Sequence, residues 1–295
     1  MALTINTNIS SIVAQNNLAK ATTSLNKAIE RMTTGYRINH AGDNAAGYSI
    51  ARNWETQLGS LDVAADNAAM GADMMQTLED HYSLISNHLQ RVRDLTEQAA
   101  NGTYGTASLN AIKSEITARL EEVDRIAANC EYNGRKLMDG EGITNNINLQ
   151  VGLYSSDDSK IELKKSLFES AKIGDLFEKY SKGDGTTDAN FDDKDKVAAA
   201  CVGSNAASML DKIDNVIKEI SNRTTTLGAA QNRIDSAIES IGVQAENITS
   251  SLSTLRDADI AEESSNYIKA QILQQAAATL LSTANQTPSI ALNLL

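Results

Sequence analysis

IDNVIKEISNRTTTLGAAQNRIDSAIESIGVQAENITSSLSTL, residues 213–255, places Ile213, Ile220, Leu227, Ile234, Ile241, Ile248 and Leu255 at every seventh position without a miss. A seven-residue step is two helical turns, so these side chains share one stripe that must be covered by another helix. A second series, Ile217, Ile238, Ala245 and Leu252, runs beside it and is interrupted by Thr224 and Gln231. Polar groups in such a seam fix register at some cost in stability. The stretch therefore predicts one long helix over about 204–255. Arg256-Asp257-Ala258-Asp259 breaks it, and an Ala/Gln/Leu-rich helix follows to about Asn285.

The same spacing recurs on the N-terminal side. Between about 58 and 99, Leu61, Ala68, Met75, Tyr82 and Leu89 form one series, and Ala64, Leu78, Ile85, Val92 and Ala99 the other. A helix of roughly forty residues would be about 60 Å long. Asn101-Gly102-Thr103-Tyr104-Gly105 ends it with residues suited to a helix C-terminus. A second helix, about 107–128, carries Leu109, Ile112, Ile116, Val123 and Ile126, and the short connection makes it antiparallel to the first. The first thirty residues also read as a helix, with Leu18, Ala21, Leu25, Ala28 and Met32 in heptad spacing.

Between these helical arms the pattern changes. After a turn-rich passage at Asn133-Gly134 and 139–146, INLQVGLY (147–154) and KIELKKSLF (160–168) alternate with period two and predict a hairpin. SKGDGTTDANFDDKD (181–195) reads as an exposed acidic loop. The expected fold is mainly α: long antiparallel heptad helices folded back as a rod, with the N- and C-terminal helices paired at one end and a small β-hairpin region. The two breaks, 33–47 and 256–259, face each other in this arrangement.

Composition supports long helices. Aromatics make up 4% of the 295 residues, and Pro288 is the single proline. The formal charge of −12 and a pI near 4.8 argue against nucleic-acid and anionic-membrane partners, both of which need a basic surface. No apolar run reaches the roughly 18 to 20 residues of a membrane span. MALTINTNISSIVAQ lacks the basic start and apolar core of a secretory signal peptide, so export by a route that keeps the N-terminus is expected if the chain leaves the cell. Cys130 and Cys201 stand alone and are read as free thiols.

Catalytic chemistry finds little support. His81 and His88 are separated by two helical turns, about 10 Å, too far apart to share a metal ion. His40 has no ligand-bearing neighbour in sequence. HExxH, GxSxG, Walker A and GxGxxG are absent, and Gly35, Gly42 and Gly47 are too widely spaced to cradle phosphate. The carboxylate pairs Glu121-Glu122, Asp192-Asp193 and Glu262-Glu263 are read as solvated charges. The sequons at Asn8, Asn101, Asn222 and Asn247 are read as chance matches. No catalytic residue, cofactor or metal is expected. One surface stands out: Gln90, Arg91 and Asp94 fall on the outward face of the heptad helix with Leu95 at its flank, and such a mixture suits either plain solubility or a protein contact.

Five motifs together carry a resemblance: MALTINTNISSIVAQNNL (1–18), TTGYRINHAGDNAAGYSIA (33–51), LQRVRDLTEQAANGT (89–103), LGAAQNRIDSAI (227–238) and RDADIAEESSNYIKAQILQQAAATLLSTANQTP (256–288). The chain resembles the bacterial flagellins over about 1–155 and 205–295. The resemblance implies a subunit exported unfolded by the flagellar type III apparatus and polymerised into the extracellular filament. It implies an inner coiled-coil domain formed by 1–44 and 256–295, whose helices are disordered in the free monomer. It further implies a rod domain of 45–155 and 204–255, and a short variable region, 156–203, in place of outer domains. Implied partners are further copies of the chain, an export chaperone, the cap and hook-associated proteins, and the host Toll-like receptor 5.

By the same resemblance, Gln90, Arg91, Leu95 and Glu115 match receptor-contact and subunit-contact positions. Asp94 and the ending LNLL depart from the commoner pattern. Arg37, Asn39, Asp43 and Asn44, with Arg256, Asp257 and Asp259 opposite, are expected to form a hinge with an assembly role. A hook–filament junction protein and an unrelated coiled-coil scaffold are the alternatives.

Overall fold

The computed structural model describes residues 7–181, 193–202 and 205–292. As expected, the fold is mainly α. The helices are α1 (Ile9–Thr34), α2 (Ala45–Ala100), α3 (Thr106–Asn129), α4 (Ile173–Ser181), α5 (Lys194–Ala200), α6 (Ala206–Arg256) and α7 (Ile260–Leu292). The strands, all short, are β1 (Glu131–Tyr132), β2 (Arg135–Lys136), β3 (Ile147–Gln150) and β4 (Lys160–Leu163). The chain divides into two compact units, one of Met1–Gly59 with Ala245–Leu295 and one of Ser60–Gln244.

In the first unit α1 lies antiparallel to α7. Asn8 Nδ2 donates to the Ala284 carbonyl at 2.7 Å, Gln274 Nε2 to Thr22 Oγ1 at 3.1 Å, and Arg31 Nη1 meets Glu263 Oε1 at 3.0 Å. The seam between them is made of alanine: Ala14, Ala21 and Ala28 from α1, Ala270 and Ala277 from α7. Leu18, Leu25 and Met32, expected on the seam, are only half-buried. Methyl-sized seam residues let the two backbones approach closely, and longer side chains then lie along the flanks. Asn8 caps α1 through the Ser11 amide at 3.1 Å, and Gly35, in the left-handed region at φ 75°, ends it.

Helix α2 begins at Ala45, well before the heptad run that predicted it. The Asn44 side chain caps it by accepting from the Gly47 amide at 3.0 Å, so local capping starts the helix before its apolar stripe begins. In the second unit α2 packs antiparallel to α6, with Arg93 Nε on Asp214 at 2.6 Å and Gln231 Nε2 on Glu79 at 2.9 Å. It meets α3 through Arg91 and Glu115 at 3.1 Å. Leu78, Tyr82, Ile85, Leu89, Ile116, Leu120, Ile213, Ile220, Leu227 and Ile234 form the core.

The second seam of α6 differs from expectation. Met209, Val216 and Arg223 are buried, whereas Ile217 and Ile238 are half-buried. Gln231 does cross to a neighbouring helix, but Thr224 turns its hydroxyl to its own Ile220 carbonyl at 3.0 Å. Arg223 is buried because its guanidinium finds partners: the carbonyls of Glu169 and Ser170 at 3.1 and 3.0 Å, and the carboxylates of Glu169 and Glu219, each at 3.2 Å. It thereby ties the segment before α4 to α6.

The predicted hairpin is present but short, with β3 and β4 antiparallel from Ile147↔Leu163 to Gln150↔Lys160. A second, smaller hairpin, β1–β2, turns at Asn133-Gly134, where φ is 48° and 76°; two left-handed residues in a row make the turn that favours Asn-Gly. Within 156–203, where a hairpin and loop were expected, Leu167, Phe168, Ile173, Leu176, Phe177, Val197, Ala198 and Cys201 are buried in the core. The Ile173 amide donates to Asp124 of α3 at 2.8 Å, and Lys194 of α5 reaches Glu121 at 3.3 Å. Of the acidic stretch 181–195, residues 182–192 lie outside the described residues. Asp193 to Asp195 supply the cap and first turn of α5 instead of a loop.

Candidate subunit-contact surfaces

Residues 35–44 and 257–259 meet as a clasp. The Arg37 amide donates to the Arg256 carbonyl at 2.6 Å and the Ala258 amide to the Gly35 carbonyl at 2.8 Å, with Tyr36 and Asp257 paired between them. Arg37 Nη2 donates to the Leu255 carbonyl at 2.9 Å, bringing positive charge to the C-terminal end of α6. Arg256 stacks on Tyr36, its Cζ 4.1 Å from the ring centre, and pairs through Nη1 with Glu55. Burial pushes the Glu55 carboxyl up, but Arg52 and Arg256 outweigh it and hold it below the usual carboxylate range.

The remaining joint residues order the turns. Asn39 Nδ2 donates to the Tyr36 carbonyl at 3.1 Å, and Asp43 accepts from the His40 amide at 3.2 Å, which with Lys27 lowers its pKa against the effect of burial. Asp257 accepts from the Ser253 hydroxyl at 2.7 Å, and Asp259 caps α7 through the Ala261 amide at 2.8 Å. Gly35 answers the need for a positive φ, and at Gly47 a Cβ would lie 2.9 Å from both Ile38 Cδ1 and Asn44 Nδ2, so one of these side chains would have to shift. Gly42 meets neither condition. His40, read as incidental, pairs with Glu30 at 2.8 Å. Sequence reasoning missed Tyr36, Glu55 and Glu30; their only signal was a complementary charge or ring far away in the chain.

Away from the clasp, α1 and α7 carry their large aliphatics outward. Ile9, Ile12, Val13 and Ile29 of α1, and Ile260, Ile268, Ile272, Leu273 and Leu280 of α7, are all substantially exposed, with Ile9 at 69% and Leu280 at 64%. Each half-exposed aliphatic gives up roughly 1 kcal/mol of available burial, so these nine represent on the order of 10 kcal/mol. That is comparable with the stability of a whole domain. Exposed aliphatics in this number on one helix pair suit association with other chains.

The α2 surface is sorted by its two neighbouring helices. At about 100° per residue, with Arg91 at zero, Arg93 falls near 200°, and Leu95, Ala99, Val92 and Thr96 fall near 40°, 80°, 100° and 140° between them. Arg91 reaches α3 and Arg93 reaches α6, so everything in that arc faces the core. Leu95 is accordingly 2% exposed, correcting its expected place at the flank of the outward face. Gln90 and Asp94, on the opposite side, are exposed, as is Arg91. Arg91 Nε and Glu115 Oε1 stand 3.1 Å apart, and Gln90 contacts Ser86 at 3.5 Å. Gln90, Arg91 and Glu115 thus share a surface, and Leu95 supports it from below.

Other reactive groups are enclosed or dispersed. Cys130 and Cys201 are free and buried, and burial raises their thiols to about 12 and about 11. His81 Nδ1 lies 2.8 Å from the Thr77 carbonyl of its own helix, and His88 Nδ1 is buried without a partner. Among the described residues no group of three His, Cys, Asp or Glu side chains could hold a metal, and no helix is long and apolar enough to cross a membrane.

These features define a structural helical protein with outward association faces. The family model of the bacterial flagellin N-terminal helical region matches residues 5–142, and that of the flagellin C-terminal helical region matches 210–295. Similar proteins include a flagellin of Xenorhabdus nematophila, 35% identical over the whole of both chains, and one of Bacillus subtilis, 32% identical over 99% of each. The solved structure of a flagellar hook-associated protein from Vibrio parahaemolyticus shares the fold, at TM-score 0.59 and 13% identity over 73% of this chain and 100% of that one. The chain belongs to the bacterial flagellin family. It is a structural subunit of the flagellar filament, an extracellular self-polymer.

Proposed function

We propose that this subunit works by coupled folding and assembly: the outward faces of α1 and α7 become buried when they dock on adjacent copies, and the clasp at 35–44 and 257–259 acts as the hinge that sets them. The nine exposed aliphatics on two helices joined by an alanine seam carry this reading. A helix pair that buries little beyond alanine methyls gains little stability by itself, so ordering is deferred to the polymer. In this reading residues 1–44 and 256–295 form the inner coiled-coil domain, 45–155 and 204–255 the rod, and 156–203 replaces the family's outer domains. The chain leaves the cell unfolded through the flagellar type III apparatus with its N-terminus retained, meeting an export chaperone inside and the cap and hook-associated proteins outside. It performs no enzymatic reaction and engages neither nucleic acid nor membrane.

Deleting 260–295 is expected to leave a monomer that cannot lengthen filament seeds, as followed by electron microscopy. Normal elongation by that truncation would sink the reading. Full-length identity to flagellins, and only a shared fold with a hook-associated protein, favours the filament over the hook–filament junction.

A second reading concerns the α2–α3 surface. Gln90, Arg91 and Glu115 are proposed as a contact for Toll-like receptor 5 and for neighbouring subunits, favoured by the exposed Arg91–Glu115 pair bridging two helices. Leu95 contributes by holding the α2 backbone in place.

A further inference from the structure

Two Asn-Gly pairs lie on the exposed surface: Asn101-Gly102 between α2 and α3, and Asn133-Gly134 in the β1–β2 turn. Asn-Gly is chemically labile because glycine leaves its own backbone nitrogen open to the preceding side-chain amide. We propose that Asn101 is a site of spontaneous deamidation, and that backbone geometry directs the reaction there and away from Asn133.

Three observations place it. Gly102 has no positive φ and open space around its Cα, and its amide makes no hydrogen bond among the described residues, so the nucleophile is accessible. Asn101 Oδ1 accepts from the Thr103 amide at 3.3 Å, which polarises the side-chain carbonyl toward attack. The residue also lies just past the end of α2, where the backbone bonds it makes are long: its amide to the Gln98 carbonyl at 3.2 Å and the Tyr104 amide to its own carbonyl at 3.5 Å. Asn133, by contrast, sits at φ 48° inside a hairpin with Tyr132 paired to Arg135. Closing the ring there requires rotation about Asn133 that would unpair those strands.

In the reaction the Gly102 nitrogen loses its proton to base and bonds to Asn101 Cγ. The tetrahedral adduct then breaks the Cγ–Nδ2 bond, and Nδ2 leaves as ammonia after taking up a proton. Water opens the resulting succinimide at either carbonyl, giving aspartate or isoaspartate. The net change is one water in and one ammonia out, with no redox step. Either product places a negative charge at the C-terminal end of α2, the unfavourable end of the helix dipole. Isoaspartate also lengthens the α2–α3 connection by one backbone carbon.

The test is incubation of the folded full chain at mildly alkaline pH, with peptide mapping by mass spectrometry over time. A peptide containing residue 101 is expected to gain about one mass unit and split chromatographically into aspartate and isoaspartate forms, at a rate about tenfold or more above that at residue 133. Gly102→Val, which the open space accommodates, is expected to slow conversion by about tenfold, with unchanged circular dichroism. Conversion at 133 as fast as at 101 would overturn the proposal. So would retention of the Asn101 amide in the folded chain after the chain unfolded in guanidinium has lost it.

Discussion

Arg256 lies over the Tyr36 ring, 4.1 Å from guanidinium carbon to ring centre, and the same side chain pairs with Glu55. Residues from the end of α6, the break after α1 and the start of α2 are thus joined by one side chain. The contact gives the joint a specific geometry that neither helix would impose alone. Arginine suits the position because its planar fork can stack and bond at once.

Replacing Arg256 with alanine removes the stack and leaves Glu55 without its second cation. A loss of about 2 kcal/mol is expected. Urea denaturation followed by fluorescence of Trp54, the single tryptophan and a neighbour of Glu55 in α2, reports it directly. Arg256→Lys should recover only part, since an ammonium keeps the charge but not the fork. Filament elongation should weaken in the same order, and an Arg256→Ala chain that elongates normally would remove the joint from the assembly reading.

Leu95 and Arg91 separate packing from contact. Leu95→Ala opens a cavity in the core and should cost about 3 kcal/mol in thermal or urea unfolding. Arg91→Ala breaks a surface pair and should cost under ~1 kcal/mol. A lowered response of receptor reporter cells to Arg91→Ala, with stability kept, is the clean sign of recognition at this surface. An unchanged dose response for Arg91→Ala would show that it is not read there, whatever Leu95→Ala does.

Arg223, itself buried, holds the segment before α4 against α6 through two backbone carbonyls and two partly exposed carboxylates. Arg223→Ala should cost about 2 to 3 kcal/mol, because the Glu169 and Ser170 carbonyls lose their donor, while the Glu169 and Glu219 carboxylates keep Lys179 at 2.8 and 3.6 Å. Arg223→Met restores volume without the donors and should fall between alanine and the natural residue. Equal urea midpoints for all three chains would show that the network contributes nothing net.

Asp124 gives a pH dependence of opposite sign to that of most carboxylates. Burial raises its pKa above the usual value, against the Ile173 amide, Lys194 and Lys172, which lower it. A carboxyl raised in the folded state stabilises the fold when protonated, and that contribution is lost as pH rises from the unfolded pKa through the folded one. Asp124→Asn keeps an oxygen for the Ile173 amide and removes the charge. It should be at least as stable as the natural chain at pH near 7, with the difference shrinking as the pH is lowered toward about 4. A deficit at neutral pH that vanishes in acid would reverse the assignment.

Much of this molecule is legible from spacing. The run from Ile213 to Leu255 required one long helix, whose stripe is buried from Ile213 to Ile241 and half-buried at Ile248 and Leu255; the breaks at 33–47 and 256–259 separated the arms, and Asn133-Gly134 marked a turn. Such readings succeed because hydrophobic period and turn chemistry are local properties of the chain. Joint residues were legible in place but not in partnership: Arg37, Asp43, Asn44 and Asp259 were named, whereas Tyr36 and Glu55, which complete the clasp, were not.

What the amino-acid order determined by itself, then, was which residues share a face; what the tertiary structure decided was how much of each face is covered. Leu95 is buried because α2 has neighbours on two sides, one reached by Arg91 and one by Arg93, which widens the covered arc beyond a two-stranded seam. On α1 the opposite happens: close approach on Ala14, Ala21 and Ala28 leaves Ile12 and Val13 outside. Arg223 is tolerated in the core only because the segment at Glu169 and Ser170 folds back to meet it. Periodicity records the direction in which a side chain points, and burial depends on what arrives there from elsewhere in the chain.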